Sequence, residues 1–169
     1  TPFTLPYVQA QDTAAPKALD IGCGRGEWLE LLQSQGFCVQ GVDLDAGMLA
    51  ACAERALPAL QGDGLAYLAE QADHSWQVVS AFHVVEHIRF EQVFTLVQQA
   101  LRVLSPGGLL VLETPNPDNL LVAGRDFYLD PSHKKPIPAH LLAFVVEYAG
   151  FEQVKIVRLN ESAHLHQPE

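Results

Sequence analysis

Residues 18–29, reading Ala-Leu-Asp-Ile-Gly-Cys-Gly-Arg-Gly-Glu-Trp-Leu, restrict what the chain can fold into more than any other stretch. Residues 18–21 read as a buried strand that runs into a glycine loop, with a helix from about Gly26. Glycines at 22, 24 and 26 let the backbone turn sharply and bring its N–H groups close to a ligand. The following helix points its positive end at the same place, and Asp20 puts a carboxylate just under the loop. The spacing is D-x-G-x-G-x-G. The dinucleotide fingerprint G-x-G-x-x-G would need a glycine at 27, where Glu27 would repel a pyrophosphate. Taken alone, the loop also fits a strand–loop–helix turn without a ligand.

The rest of the chain continues the same alternation. An apolar helix face at Trp28, Leu29, Leu31 and Leu32 ends at Gly36. A second strand covers 37–42, Asp45 caps a helix over 48–56, and Pro58 starts a short strand ending near Gly62. A helix over 65–71 leads to a fourth strand, 76–82. Phe90, Val93, Phe94, Val97, Leu101 and Leu104 recur at helical spacing. A turn at 105–108 precedes a fifth strand, 109–113. A proline-rich connection, 114–138, leads to a helix marked by Leu142, Val145, Val146 and Ala149 and stopped by Gly150, and residues 151–159 read as a sixth strand. The fold class expected is α/β: a doubly wound, mostly parallel sheet that takes ligands beyond the carboxyl ends of its strands.

At 169 residues the chain is expected to be one domain, 17–159, with a lead-in at 1–16 and a tail at 160–169. A start at Thr1 fits a domain excised from a longer chain. The formal charge of −10 argues against a nucleic-acid surface. No apolar run is long enough for a membrane span, and no leader is visible. Cys23, Cys38 and Cys52 lack metal-ligand spacing and read as reduced thiols, so a cytoplasmic setting is expected.

Acids end three successive strands. Asp43 can accept both hydroxyls of a ribose, or merely cap the next helix. Asp63 can accept from an adenine amino group, or serve as a turn or N-cap residue. His83, Glu86 and His87 form a literal H-x-x-E-H, the spacing of inverted zinc peptidases. That reading needs both histidines on one face of an established helix, whereas here the motif follows a strand. No metal is therefore expected. The motif reads either as a helix start with satisfied side chains or as catalytic residues on the acceptor side. Arg125, Lys134 and Lys135 are three of the chain's ten Lys and Arg residues, with His133 beside them. They suit an anionic acceptor or a merely solvated loop, and Phe127 and Tyr128 suit sugar stacking or core packing.

The D-x-G-x-G-x-G loop with its strand-end acids resembles the cofactor site of class I S-adenosylmethionine (SAM)-dependent methyltransferases, over about 17–159. SAM carries an ammonium and no phosphate, which suits the acidic lining. Residues 25–32, 81–87, 113–121 and 127–133 resemble a narrower group, the methyltransferase domain of bacterial polysaccharide proteins. That group includes the O-antigen chain terminators that pair a kinase with a methyltransferase and methylate a terminal glycan phosphate. The resemblance implies that Asp20, Gly22, Cys23, Gly24, Gly26, Asp43, Leu44, Asp63 and Gly64 hold SAM, with Phe82 and His83 near its methionine end. Asn116, Arg125, Tyr128, His133, Lys134 and Lys135 fall on the acceptor side. The implied function is O-methylation of a glycan or glycan phosphate in surface polysaccharide synthesis, with kinase or glycosyltransferase domains as partners. No kinase sequence is present, and the seventh strand that normally completes the sheet has no good counterpart in 160–169. Two alternatives are a small-molecule hydroxyl O-methyltransferase and a SAM-binding scaffold without catalysis. A phosphate acceptor needs no general base; a hydroxyl acceptor would need one, His83 or His87.

Overall fold

The computed structural model describes residues 15–159. The tail and all but the last two residues of the lead-in therefore lie outside the described residues. Five parallel strands form one sheet: β1 (Lys17–Ile21), β2 (Cys38–Asp43), β3 (Ala59–Gln61), β4 (Trp76–Phe82) and β5 (Leu104–Glu113), in the order β3-β2-β1-β4-β5. β1 and β4 are buried on both faces because they sit at the centre of a sheet covered on both sides. Alternation along the strands divides the core. Ala18, Val39 and Val78 pack with Leu29 and Leu32 of α1 (Glu27–Ser34) and Cys52 of α2 (Ala46–Glu54). Leu19, Ile21, Val79 and Ala81 pack on the opposite face, against Leu68 of α3 (Gly64–Glu70) and Leu96, Val97 and Ala100 of α4 (Phe90–Val103). Further along the chain come α5 (Leu120–Gly124) and α6 (Ala139–Ala149), and Val145 of α6 joins that second cluster. Fully burying a Leu or Val side chain contributes about 1.5–3 kcal/mol, so these two layers hold the strand ends in register.

Local chemistry explains the boundaries. Gly36, at φ 89°, and Gly150, at φ 115°, end α1 and α6 in the left-handed region. Asp45 caps α2 by accepting from the N–H groups of Gly47 (2.7 Å) and Met48 (3.3 Å). Gln92 reaches back to accept from the Arg89 N–H at the start of α4.

The structure corrects two expectations. Residues 151–159 pair with no strand among the described residues, so the expected sixth strand is absent. Among the described residues it has no neighbour on which to lay a ladder. The turn at 105–108 lies inside β5: Trp76 pairs with Leu104 but Val78 with Leu109, so four residues bulge out of the ladder. The proline-rich connection 114–138 contains α5 and a 3-10 turn, Asp126–Leu129. Among the described residues, no helix is long and apolar enough to cross a membrane.

Candidate active site at the carboxyl ends of β1, β2, β4 and β5

The three loop glycines have φ of 68°, 53° and 85° at 22, 24 and 26. The loop folds back onto β2, where the Val42 carbonyl accepts from Gly22 N–H (2.8 Å) and Cys23 N–H (3.2 Å). A Cβ at Gly22 would lie 2.5 Å from Val84, and one at Gly26 would meet Leu57 and Cys52. Nothing lies within 4 Å of that position at Gly24. Two glycines are thus required by protein packing, and the middle one leaves an open wall. Gly64 is a packing glycine too, since its Cβ would run into Ile21. Cys23 turns its thiol into the core, where burial and the neighbouring Cys52 thiol push its pKa up. Only its backbone belongs to the loop. Leu44 is exposed just past β2.

Asp43 organises the loop. Its Oδ2 accepts from Gly24 N–H and its Oδ1 from Asp45 N–H, both at 2.8 Å. Capping of α2 falls to Asp45, so each Asp43 oxygen keeps a lone pair for a further donor. Asp63 does cap its helix, accepting from Ala66 N–H at 2.9 Å through one oxygen. Its other oxygen has no such role.

Asp20 is 2% exposed. Ser80 Oγ donates to it at 2.6 Å, and Trp28 Nε1 donates in turn to Ser80 at 3.0 Å. Burial raises the carboxyl to about 7 against the lowering by Ser80, with a further push from the Asp43 charge. A buried carboxylate with only a neutral donor suits a cationic ligand. Ser80 and Trp28 are site residues that motif spacing does not identify. The one signal in the sequence is a serine in the middle of an apolar strand. Trp28 also meets Phe82, the last residue of β4, edge to face at 5.1 Å.

Beyond β4 the H-x-x-E-H residues separate. His83 sits at φ 55°, with Nδ1 3.2 Å from Glu86 and Nε2 3.3 Å from Glu113. The Glu86 hydrogen bond and charge raise its pKa, and Glu113 adds to this. Both ring nitrogens are engaged, so His83 is a poor base. Glu86 is fully buried. Burial would raise its carboxyl, but hydrogen bonds from His83, its own backbone and Thr114 Oγ1 (3.0 Å) hold it below the ordinary value. Glu86 and His87 lie on a single 3-10 turn, Val85–His87. The peptidase arrangement of two histidines on one helix face is therefore not formed, and the alternative reading as a helix start gives only this short turn.

His87 finds its partners in the 125–135 loop. Its Nδ1 lies 2.9 Å from Ser132 Oγ, which donates to Asp130 at 2.6 Å. Its ring packs on His133 with centroids 4.6 Å apart. His133 stacks on Phe127 and directs Nδ1 to the Phe127 carbonyl at 2.6 Å. Lys134 N–H donates to the Glu86 carbonyl at 2.8 Å, fastening the loop to the turn. Phe127 is core, whereas Tyr128 is exposed. Arg125 is paired with Asp126 at 2.7 Å. Asn116 accepts from Asp118 N–H and closes its own turn. Lys134 and Lys135 are exposed without an ion-pair partner among the described residues.

A family model described as "Methyltransferase domain" matches residues 4–156. The chain is 34% identical over 144 residues to a probable S-adenosylmethionine-dependent methyltransferase of Mycolicibacterium smegmatis, covering 85% of this chain and 54% of that protein. It is 34% identical over 165 residues to the ubiquinone biosynthesis O-methyltransferase of Psychrobacter arcticus, covering 87% of this chain and 63% of that protein. A crystal structure of a SAM-dependent methyltransferase from Archaeoglobus fulgidus superposes with a TM-score of 0.77 at 32% identity, over 89% of this chain and 74% of that one. The chain thus spans about half the length of the first of these relatives. The open wall at Gly24, the spare acceptors of Asp43 and the buried Asp20 carboxylate fit SAM, and the chain belongs to the SAM-dependent methyltransferases, with the class I Rossmann-like fold.

Proposed function

We propose that the domain methylates an acceptor hydroxyl, on a sugar of a glycan, at the corner where the Val85–His87 turn meets the 125–135 loop. The observation carrying this reading is the Lys134–Glu86 main-chain bond, which makes the turn and the loop one wall beside the end of β4. At that wall His87 and His133 each have Nδ1 engaged. With Glu86 buried beside the rings and Asp130 Oδ2 3.9 Å from His133 Nε2, the corner suits an O–H group better than a dianion.

SAM supplies an electrophilic methyl on a sulfonium. Asp20, Asp43 and the loop would hold and orient it, and the corner would position the acceptor oxygen for transfer. The sugar class rests on the resemblance of residues 25–32, 81–87, 113–121 and 127–133 to polysaccharide methyltransferase domains. A ubiquinone biosynthesis O-methyltransferase among the relatives supports oxygen as the atom methylated and keeps a smaller hydroxyl acceptor in view. A second reading is a glycan phosphate, favoured by Lys134 and Lys135 beside the corner. Kinase or glycosyltransferase partner domains belong to the glycan readings.

Incubation with methyl-labelled SAM and matched glycans, with and without a terminal phosphate, tests this. Label in an alkali-stable ether on the unphosphorylated glycan is expected. Label only on phosphate, lost when Lys134 and Lys135 are both changed to Glu, would move the assignment to the second reading. No label on any acceptor, with SAM bound, would leave a scaffold.

A further inference from the structure

We propose that Glu86, His87 and His133 form a binding site for one divalent transition-metal cation of the zinc class, which activates the acceptor hydroxyl. The role in activation rests on the hydroxyl reading above; the metal site itself does not. Ligand atoms of the three residues all lie within 4.8 Å of one another. This is not the peptidase trio that H-x-x-E-H suggests. His83 has turned onto Glu113, and the second histidine comes from a loop 46 residues downstream of His87.

The surroundings prepare all three groups for a cation. A carbonyl oxygen carries no proton, so His133 Nδ1 donates to Phe127, which makes Nε2, 3.9 Å from Asp130 Oδ2, the nitrogen open to a metal. The Ser132 hydroxyl proton goes to the Asp130 carboxylate, so His87 Nδ1 donates to Ser132 Oγ and its Nε2 also keeps a lone pair. Both histidines therefore have the outer hydrogen bond that orients a metal-ligating imidazole. Glu86 is fully buried, and each of its oxygens has a side-chain neighbour, His83 or Thr114, with a second lone pair to spare. No Lys or Arg ion pair touches Glu86 among the described residues. Two imidazoles and one carboxylate with open positions is the donor set of catalytic zinc and related borderline cations, while magnesium prefers all-oxygen sites.

In the reaction, coordination makes the acceptor hydroxyl more acidic, so that its proton passes to solvent. The oxygen lone pair then forms the O–CH3 bond, the C–S bond breaks, and its electron pair stays on sulfur as a neutral thioether. Charge balances, since the sulfonium loses its positive charge as one proton is released.

Calorimetric titration of the chelator-treated domain with Zn2+, with and without SAM, reads the site without relying on turnover. One equivalent per chain is expected, with Mg2+ binding far more weakly. His87→Gln or His133→Gln should weaken Zn2+ binding by at least about 100-fold. Ser132→Ala, an exposed change that leaves the ligands in place, should weaken it roughly 10-fold by loosening His87. His140→Gln, at an exposed position of α6, should change nothing. SAM affinity serves as the folding control for each variant. Zn2+ binding that is absent, or that responds equally to His140→Gln, overturns the site. A bound cation whose removal leaves hydroxyl methylation unchanged overturns its role in activation. A bound cation with no hydroxyl methylation at all overturns the hydroxyl reading and leaves the site standing.

Discussion

Asp20 holds a proton in the folded protein that it would not hold in the unfolded chain. Its carboxyl moves from 3.8 to about 7 because burial opposes its charge more than Ser80 favours it. Between those values the native state binds more protons, so this group's contribution to stability falls as pH rises from about 4 to 7. A cationic ligand beside it favours the ionised form. SAM affinity should therefore rise with pH through about 7 and level off above it, by up to about tenfold between pH 6 and 8. Asp20→Asn keeps an acceptor for Ser80 but cannot ionise, so its affinity should be weaker and flat with pH. Equilibrium dialysis at pH 6, 7 and 8 checks this, and a flat profile for the unchanged protein would remove Asp20 from the cofactor's electrostatics.

At the scale of elements, the glycine loop divides into packing and binding positions. Gly22→Ala forces a left-handed side chain against Val84, 2.5 Å away, and should destabilise the fold by about 2–4 kcal/mol. Gly24→Ala meets nothing within 4 Å, so it should cost only about 1–2 kcal/mol of backbone strain while its methyl intrudes on the cofactor's wall. Thermal melts and SAM titrations on the two variants should thus rank them in opposite orders. If Gly24→Ala binds SAM normally, the loop does not contact the cofactor there. This half of the site is legible in the sequence because its signals are local: glycines at fixed spacing, an acid at each strand end, and buried strands that fix which end is which. The proposed acceptor half is not. His87 meets His133, and Asp20 meets Ser80, only through tertiary packing across 46 and 60 residues. The H-x-x-E-H string even points to the wrong pair, because spacing says nothing about His83 entering a left-handed turn. The sixth strand fails for a related reason, since a strand exists only with a partner to bond.

Across the whole molecule, the sheet fixes the strand ends and the 125–135 loop is added beside them, anchored in the core by Phe127. Beside the Ser132–His87 side-chain bond and the tilted His87–His133 contact, the loop's one main-chain hydrogen bond to the Val85–His87 turn among the described residues runs from Lys134 N–H to the Glu86 carbonyl. That bond has a kinetic consequence. If the loop must swing out for an acceptor to enter or a methylated product to leave, the Lys134 amide becomes available to solvent at each opening, and closing restores its protection. Its deuterium exchange is then a clock for the mouth of the active site. Lys134 should exchange measurably more slowly than neighbouring Lys135, and binding of an acceptor or a cation at the corner should slow it further. Exchange at equal rates in the two residues would mean that the latch is open most of the time, and that entry to the site is not gated by this loop.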